Sequence, residues 1–259
     1  MTEHITVTEF GGVLEIRFDR ADKKNAITSA MYTAMADALD RADADPGILA
    51  VLFSGAGDSF TAGNDLNDFL AAPRLLEESP GGRFIRTIAK ARKVLIAAVH
   101  GSAVGIGTTL LLHCDLVYAG RSARLALPFV KLGLVPEAAS SLLLPRLMGY
   151  QRAAELILLG EPFDAETARE LGLVNRVVDD AELLATARAA ATAVAALPPS
   201  AVQQSKALMK ANHAGVAECM ADELQRFSTQ LRSAEFKEAA QAFLEKRPPN
   251  FAKLRGVGP

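Results

Sequence analysis

Alternation between apolar strands and amphipathic helices is the main pattern in the first hundred residues. Residues 13–19 alternate apolar and polar side chains, which predicts a strand with one face open to water. Between 28 and 47, large apolar residues recur at every fourth position and a proline-glycine pair follows, which predicts a helix. The runs at 48–55 and 93–101 are continuously apolar. Such runs are typical of parallel strands that are buried on both faces.

From residue 101 onward, short strands give way to helices. A glycine-rich turn leads into a short apolar helix, and the chain becomes mostly helical after about residue 138. The Pro80-Gly81-Gly82 segment predicts a helix break, so we expect mobility around 72–82. Further strands are predicted at 115–120, 123–128 and 173–178, and further helices at 164–172 and beyond 180. The pattern therefore favours a β/α core over residues 1–195 and a helical region over 196–259.

Composition and charge exclude several classes of protein. The 259 residues carry a formal net charge of −2, so no overall basic field favours nucleic acid or an anionic membrane. Cys114 and Cys219 are too few for a disulfide framework or a cysteine metal site. No apolar run reaches the roughly 18 residues that a membrane span needs, and the N-terminus is too polar for a signal peptide. We therefore expect a cytoplasmic protein of enzyme size.

A turn that contains glycine follows each of the two long apolar strands, at 60–66 and at 101–110. In an open α/β sheet, the carboxyl ends of the strands line the ligand crevice. Two such turns side by side could aim two backbone N–H groups at one oxygen atom, which is the geometry of an oxyanion hole. The glycines could equally serve only to make tight turns. Neither turn has the glycine spacing of a nucleotide-binding loop.

One charged residue, Glu137, interrupts the apolar run at 132–147. It follows Pro136, and an acid in the first turn of a helix would be stabilised by the helix dipole. Alternatively, an apolar wall that keeps water from the carboxyl group would raise its pKa toward neutrality, where it could both accept and donate a proton. The residues alone leave both interpretations open.

Four segments, at 19–28, 59–69, 99–120 and 170–178, together resemble the crotonase, or enoyl-CoA hydratase/isomerase, superfamily. They occur in the family's order and span essentially the whole chain. The resemblance implies an α/β fold of the crotonase type (the ClpP/crotonase β-β-α superhelix) with a helical C-terminal region. It also implies an acyl-CoA thioester as the substrate, no metal and no separate cofactor, and assembly as a homotrimer or hexamer.

The resemblance also implies which residues bind the substrate. The carbonyl oxygen of the thioester would lie between the backbone N–H groups of Asn64 and Ile106. These are main-chain contacts, so the identities of the two side chains matter less. The CoA moiety would contact residues in and near the first turn, namely Lys24, Ala26, Ala62, Asp65 and Leu66.

Two positions depart from the pattern of the family's hydratases. Those enzymes handle a water molecule with two glutamates, and this chain has Thr109 and Phe129 at the matching places. Neither side chain transfers protons near neutral pH, and we expect both in the wall of the acyl pocket. Glu137 instead matches the single catalytic glutamate of the peroxisomal-type Δ3,Δ2-enoyl-CoA isomerases. The leading hypothesis is therefore such an isomerase of fatty-acid oxidation. The alternatives are a hydratase or another crotonase-type lyase, and a non-catalytic acyl-CoA-binding subunit.

Overall fold

The structure is a computed structural model that describes residues 4–71, 79–211 and 214–255. The strands in these ranges are β1 Ile5–Phe10, β2 Val13–Phe18, β3 Ala50–Gly55, β4 Val94–Val99, β5 Ser102–Val104, β6 Leu116–Gly120, β7 Arg124–Ala126, β8 Phe163–Asp164 and β9 Arg176–Val178. The helices are α1 Ser29–Ala44, α2 Leu66–Ala71, α3 Pro80–Lys90, α4 Ile106–Thr109, α5 Ser140–Met148, α6 Tyr150–Leu159, α7 Ala165–Glu170, α8 Asp180–Ala195, α9 Pro199–Lys210, α10 Val216–Gln230 and α11 Ala234–Leu244.

A six-stranded sheet forms the centre of the fold, in the order β1-β2-β3-β4-β6-β9. β1 and β2 form an antiparallel hairpin, and every other pair of neighbours in this sheet is parallel. A second, three-stranded sheet has the order β5-β7-β8. The chain passes from the large sheet to the small one between β4 and β5 and again between β6 and β7, and α4 follows the first passage. This arrangement confirms the expected α/β fold of the β-β-α type.

Helices cover both faces of the central sheet. The regularly spaced Met31, Met35 and Leu39 of α1 join the large core cluster on one face. On the other face, α8 packs across β3, β4 and β6 with Leu183 and Ala187. The prediction that the long apolar strands are buried on both sides is therefore confirmed for β3 and β4.

The first predicted strand is present as β2, but the prediction that one of its faces is open to water is wrong. Glu15 is only 1% exposed, and its carboxylate accepts a hydrogen bond from Ser54 Oγ (2.7 Å) and pairs with Arg188 Nη2 of α8 (2.7 Å). In the sequence, a buried and paired charge alternates with apolar residues in the same way as an exposed one. The strand pattern could not indicate that α8, far along the chain, covers this face.

The helix break predicted at Pro80-Gly81-Gly82 is also wrong, because these residues form the first turn of α3. Ser79 is the N-cap, and its Oγ accepts a hydrogen bond from the N–H of Gly82 (3.1 Å). Proline suits the first position of a helix because an N–H there would have no intrahelical acceptor. Most of the stretch for which we expected mobility, residues 72–78, lies outside the described residues.

The C-terminal helices pack on the part of the core around 127–148. Leu224 and Phe227 of α10 and Phe236 of α11 share one apolar cluster with Phe129 and Leu144. This layer places α10 close to the turn that carries Glu137. The domain boundary that we predicted at residue 195 stays a prediction. Within the described ranges, no helix is long and apolar enough to cross a membrane.

Candidate active site

The two glycine turns lie side by side and are joined by backbone hydrogen bonds. The N–H of Thr61 donates to the carbonyl of Ser102 (2.9 Å), and the N–H of Val104 donates to the carbonyl of Thr61 (3.0 Å). Gly63 has φ +86°, and a Cβ atom there would lie 2.6 Å from the Val104 carbonyl oxygen. Glycine alone permits this conformation and this close approach together. The first turn therefore packs directly against the second.

Each turn presents a backbone N–H group that has no acceptor among the described residues. One belongs to Asn64. On either side of it, the Gly63 carbonyl accepts a hydrogen bond from the N–H of Ile27, and the Asp65 N–H donates one to the carbonyl of Ile27. The other belongs to Ile106, the first residue of α4, where an N–H has no intrahelical acceptor. These are the two donors expected of the oxyanion hole, and they lie on adjoining turns. Their role in substrate binding stays a prediction.

The predicted CoA-binding residues lie on two segments that run next to one another. The N–H of Ala62 donates to the carbonyl of Lys24 (2.8 Å), and the N–H of Ile27 donates to that of Gly63 (2.8 Å). The side chain of Lys24 is exposed, as a contact with a CoA phosphate requires. The structure thus brings together the five predicted residues, Lys24, Ala26, Ala62, Asp65 and Leu66. Their contact with CoA stays a prediction.

The carboxylate of Asp65 is occupied by contacts within the first turn. It pairs with Arg20 Nη1 (2.7 Å) and accepts hydrogen bonds from the N–H groups of Asn67 (3.0 Å) and Asp68 (3.3 Å). Partial burial acts to raise the pKa of Asp65, but the hydrogen bonds from Arg20 and the two N–H groups outweigh it and lower the pKa. Asp65 is therefore an ionised support of the turn, and any contact with CoA would come from its backbone.

Asn25, which the sequence reasoning missed, ties the same segments to the end of β3. Its side chain is fully buried, and the amide nitrogen donates to the carbonyls of Ala56 (2.8 Å) and Ser59 (2.7 Å). Its Oδ1 accepts a hydrogen bond from the N–H of Arg20 (2.8 Å). Asn25 has φ +57°, a conformation that asparagine tolerates better than most residues. The available signal in the sequence was an asparagine in the connection between β2 and α1, since asparagine is favoured in turns.

Glu137, the candidate acid and base, is almost completely buried, with 1% of its surface exposed. Its Oε1 accepts a hydrogen bond from Thr109 Oγ1 (3.3 Å), whereas the buried Oε2 has no partner among the described residues. Burial, and after it the nearby Glu223, raises the pKa of Glu137 to about 8, although the hydrogen bond from Thr109 opposes this shift. A carboxyl group with such a pKa can both take and return a proton near neutral pH.

The short helix α4 connects Glu137 to the oxyanion donors. Ile106 begins this helix and Thr109 ends it, so the two residues are separated by about 4.5 Å along the helix axis, at roughly 1.5 Å per residue. The Ile106 N–H points out of one end, and the Thr109 hydroxyl touches Glu137 at the other. An acyl group held by the N–H groups could therefore present its first few carbon atoms to the Glu137 carboxyl.

The turn that carries Glu137 precedes α5, which begins at Ser140. The interpretation of Glu137 as an acid in the first turn of a helix is therefore wrong. Ala138 and Ala139 both adopt the left-handed conformation, with φ +59° and +56°. The Ser140 hydroxyl donates to the Glu137 carbonyl (2.6 Å), and His113 Nε2 lies 2.8 Å from the Ala138 carbonyl. This tight turn directs the Glu137 side chain inward, away from water.

Tyr32 of α1 is a second residue that the sequence reasoning missed. Its hydroxyl donates a hydrogen bond to Asn64 Oδ1 (2.5 Å). Burial, followed by the charge of Glu137, raises the pKa of this hydroxyl. Tyr32 therefore stays protonated and lies near both the oxyanion turn and the acid/base. No sequence signal was available, because Tyr32 occupies an ordinary inward position of an amphipathic helix.

Thr109 and Phe129 take different places. Thr109 is fully buried at the Glu137 carboxyl. Phe129 is 4% exposed and packs edge-on against Phe227 of α10, with 6.5 Å between the ring centroids. Thr109 is thus part of the candidate site, whereas Phe129 belongs to the apolar layer beneath α10. That either residue lines the acyl pocket stays a prediction.

Comparison with protein families and curated proteins gives a consistent group of relatives. Residues 8–254 match the family described as enoyl-CoA hydratase/isomerase. The 1,2-epoxyphenylacetyl-CoA isomerase of Escherichia coli (strain K12) is 36% identical over 249 residues, which cover 93% of this chain and 95% of that protein. Enoyl-CoA delta isomerase 2 of Rattus norvegicus is 39% identical over 214 residues, which cover 80% of this chain and 54% of that protein. A probable enoyl-CoA hydratase of Bacillus subtilis (strain 168) is 34% identical over 254 residues, covering 95% and 97%.

Solved structures agree with these relatives. OdaA of Pseudomonas aeruginosa is 52% identical, with a TM-score of 0.91 over 93% of this chain and 99% of that one. An enoyl-CoA hydratase/isomerase of Pseudoalteromonas atlantica T6c is 45% identical, with a TM-score of 0.91 over 96% of this chain and 100% of that one. Isomerase and hydratase names both occur among the relatives, so the comparisons support the family and not one reaction within it.

Proposed function

The chain belongs to the enoyl-CoA hydratase/isomerase family, and from that premise we propose that it is a Δ3,Δ2-enoyl-CoA isomerase of fatty-acid oxidation. Family membership makes it an enzyme that acts on acyl-CoA thioesters. The observation that carries the proposal is Glu137, a buried carboxyl beside the oxyanion turns with a pKa raised to about 8. Thr109 donates a hydrogen bond to it, and by the resemblance Thr109 stands at one of the two positions where the family's hydratases have glutamates.

In the proposed reaction, the ionised Glu137 carboxylate removes a proton from C2 of a 3-enoyl thioester. The electron pair of the broken C–H bond moves onto the carbonyl oxygen and forms a dienolate, and the N–H groups of Asn64 and Ile106 donate hydrogen bonds to that oxygen. Glu137 then delivers the proton to C4, and the double bond is left between C2 and C3. No atom is gained or lost, so one acid/base is sufficient.

The surroundings of Glu137 support this chemistry in two ways. Its burial keeps water from the dienolate and strengthens the hydrogen bonds to the oxygen, since fewer water dipoles screen them. The Tyr32 hydroxyl holds the Asn64 side chain, and with it the turn that presents the first N–H donor. The raised pKa makes Glu137 a stronger base for the C2 proton than an ordinary glutamate would be.

The experiment that tests this proposal compares two activities of the purified protein. One assay follows the gain of ultraviolet absorbance when a 3-enoyl-CoA becomes the conjugated 2-enoyl thioester, and the other follows its loss on hydration of a 2-enoyl-CoA. We expect isomerisation, and we expect Glu137→Gln to lower kcat by about 10²–10⁴-fold, the usual contribution of a general acid/base. Glu218→Gln, which changes an exposed acid on α10, should leave the rate unchanged.

The alternatives predict other results in the same assays. Hydration that exceeds isomerisation would mean that the site activates water without the usual pair of glutamates, as the hydratase names among the relatives would suggest. Binding of acyl-CoA without either reaction would favour a non-catalytic subunit. The assembly into a homotrimer or hexamer also stays a prediction, which analytical ultracentrifugation would test.

A further inference from the structure

A buried carboxylate beside the site, Glu223, has no part in the reaction described above. It belongs to α10 and is 5% exposed. Its Oε2 accepts a hydrogen bond from the N–H of Ala139 (2.6 Å). Its Oε1 accepts from the N–H (2.9 Å) and the hydroxyl (2.5 Å) of Ser141. Glu223 therefore binds the backbone at the point where the Glu137 turn becomes α5.

The turn needs such a support because its conformation is unfavourable for its residues. Ala138 and Ala139 are two consecutive non-glycine residues in the left-handed region. Ala139 is the N-cap of α5, and an alanine side chain cannot accept hydrogen bonds from the first N–H groups of a helix. Glu223, on another helix, accepts a hydrogen bond from the N–H of Ser141 in the first turn instead, together with one from the N–H of the N-cap residue Ala139. The conformation that turns Glu137 inward is thus held by a residue 84 positions beyond Ala139 in the chain.

The charge of Glu223 acts on Glu137 as well. Glu223 of α10 acts on Glu137 through its charge, the charge of Glu137 acts in turn on Tyr32 of α1, and the neutral Thr109 hydroxyl contacts Glu137 from α4. His113 reaches the same turn at the Ala138 carbonyl. Of these groups, only Glu223 places a negative charge near the carboxyl, and a like charge disfavours ionisation.

The hydrogen bonds decide which of the two buried carboxyls keeps the proton. Burial raises the pKa of Glu223, but the hydrogen bonds from Ser141 and Ala139 oppose that shift. The sulfur of Cys219, one turn earlier on α10, lies 3.6 Å from Oε1. Glu137 has one weak donor, Thr109, and one oxygen without a partner among the described residues. The carboxyl with fewer donors is the one that is more easily protonated, so of the two carboxyls Glu137 takes up a proton first.

We propose that Glu223 is a positioning residue for proton transfer: its carboxylate holds the turn that presents Glu137, and its negative charge acts on the Glu137 carboxyl that this turn presents. This inference rests on the proposed role of Glu137 as the acid/base. The two functions of Glu223 are separable, because one depends on its hydrogen bonds and the other on its charge.

The test compares Glu223→Gln with Glu218→Gln, which removes an exposed charge from the same helix. Two quantities are measured: the pH profile of kcat/KM for isomerisation, and the titration of the Glu137 carboxyl by ¹³C NMR without substrate. We expect the Glu137 midpoint in Glu223→Gln to fall by about one pH unit, which moves the acidic limb of the profile to lower pH. We also expect kcat on the alkaline plateau to fall about tenfold, because the turn loses an acceptor. The control should match the wild type.

A second, milder substitution tests the same proposal if the Glu223→Gln variant does not fold. Ser141 is exposed, and Ser141→Ala removes one hydrogen-bond donor from Glu223. Glu223 then holds a proton more easily, so the Glu137 midpoint should fall by a smaller amount in the same direction. An unchanged midpoint in both variants that fold would overturn the proposal, even if the rate falls. If the wild type does not isomerise, the proposed function fails, whereas the NMR titration still decides the influence of Glu223.

Discussion

A buried glutamate with a raised pKa lowers the free energy of unfolding as the pH rises. Glu137 has a pKa of about 8 in the folded state against an ordinary value of 4.5. Below pH 4.5 the carboxyl is protonated in both states, so it carries no penalty. Between pH 4.5 and 8 the folded state holds a proton that the unfolded state has released, and stability declines as the pH rises. Above pH 8 the loss is complete, at about 5 kcal/mol by linkage.

Glu137→Gln removes this titration and keeps the shape of the side chain. We therefore expect the variant to gain stability relative to the wild type as the pH rises, by about 3.5 kcal/mol between pH 5 and pH 8. The assay is urea unfolding at pH 5, 6, 7 and 8, at one fixed protein concentration because subunit association also stabilises the folded state. The quantity to compare is the difference in the free energy of unfolding between the variant and the wild type. The contributions of the other titrating groups cancel in this difference to a first approximation.

The matched control is Glu218→Gln, which changes a glutamate that lies in water in both states. Its stability difference from the wild type should stay level across the same pH range. A level difference for Glu137→Gln as well would refute the reasoning, because Glu137 would then ionise in the folded state as readily as in the unfolded chain. The variant that is more stable at alkaline pH should also be the inactive one, which is a common consequence of burying a catalytic charge.

Two further substitutions test the geometry of the site. Thr109→Val removes the hydrogen bond to Glu137 Oε1, so the pKa of Glu137 should rise and the acidic limb of the kcat/KM profile should move to higher pH by about half a unit, opposite to Glu223→Gln. A shift to lower pH would contradict this. Gly63→Ala should lose more than tenfold in activity and about 2–4 kcal/mol in urea unfolding, since the new Cβ would meet the Val104 carbonyl. Gly11 also has a positive φ (+52° against +86° for Gly63), but a Cβ atom there would meet open space, so an equal loss in Gly11→Ala would contradict the steric explanation.

The sequence by itself determined the elements whose side chains report burial directly. Continuous apolar runs marked β3 and β4, and the four-residue spacing of Met31, Met35 and Leu39 marked α1. The glycines after the two strands marked the turns because only glycine fits Gly63 against its neighbour. Local propensity and motif spacing are properties of nearby residues, so they can be read along the chain.

Elements that depend on distant partners were missed or misread. β1 is an exception, because its partner β2 follows directly after Gly11 and Gly12, and the alternation of Ile5 and Val7 with threonine was a local signal that we missed. β5 and β8 are two or three residues long and exist through their pairing with β7. The buried face of β2 was misread because it is completed by Arg188, far along the chain.

For the candidate site, too, the sequence identified some residues, whereas the tertiary structure decided their chemical properties. Motif position in the sequence singled out Glu137, Asn64 and Ile106. Only the tertiary structure decided the pKa of Glu137, because that value depends on burial by several elements and on Glu223, 86 residues later. The same holds for Tyr32, which reaches the site from the first helix of the fold. Electrostatic energy depends on distance in space and on exclusion of water, and neither can be read from separation along the chain.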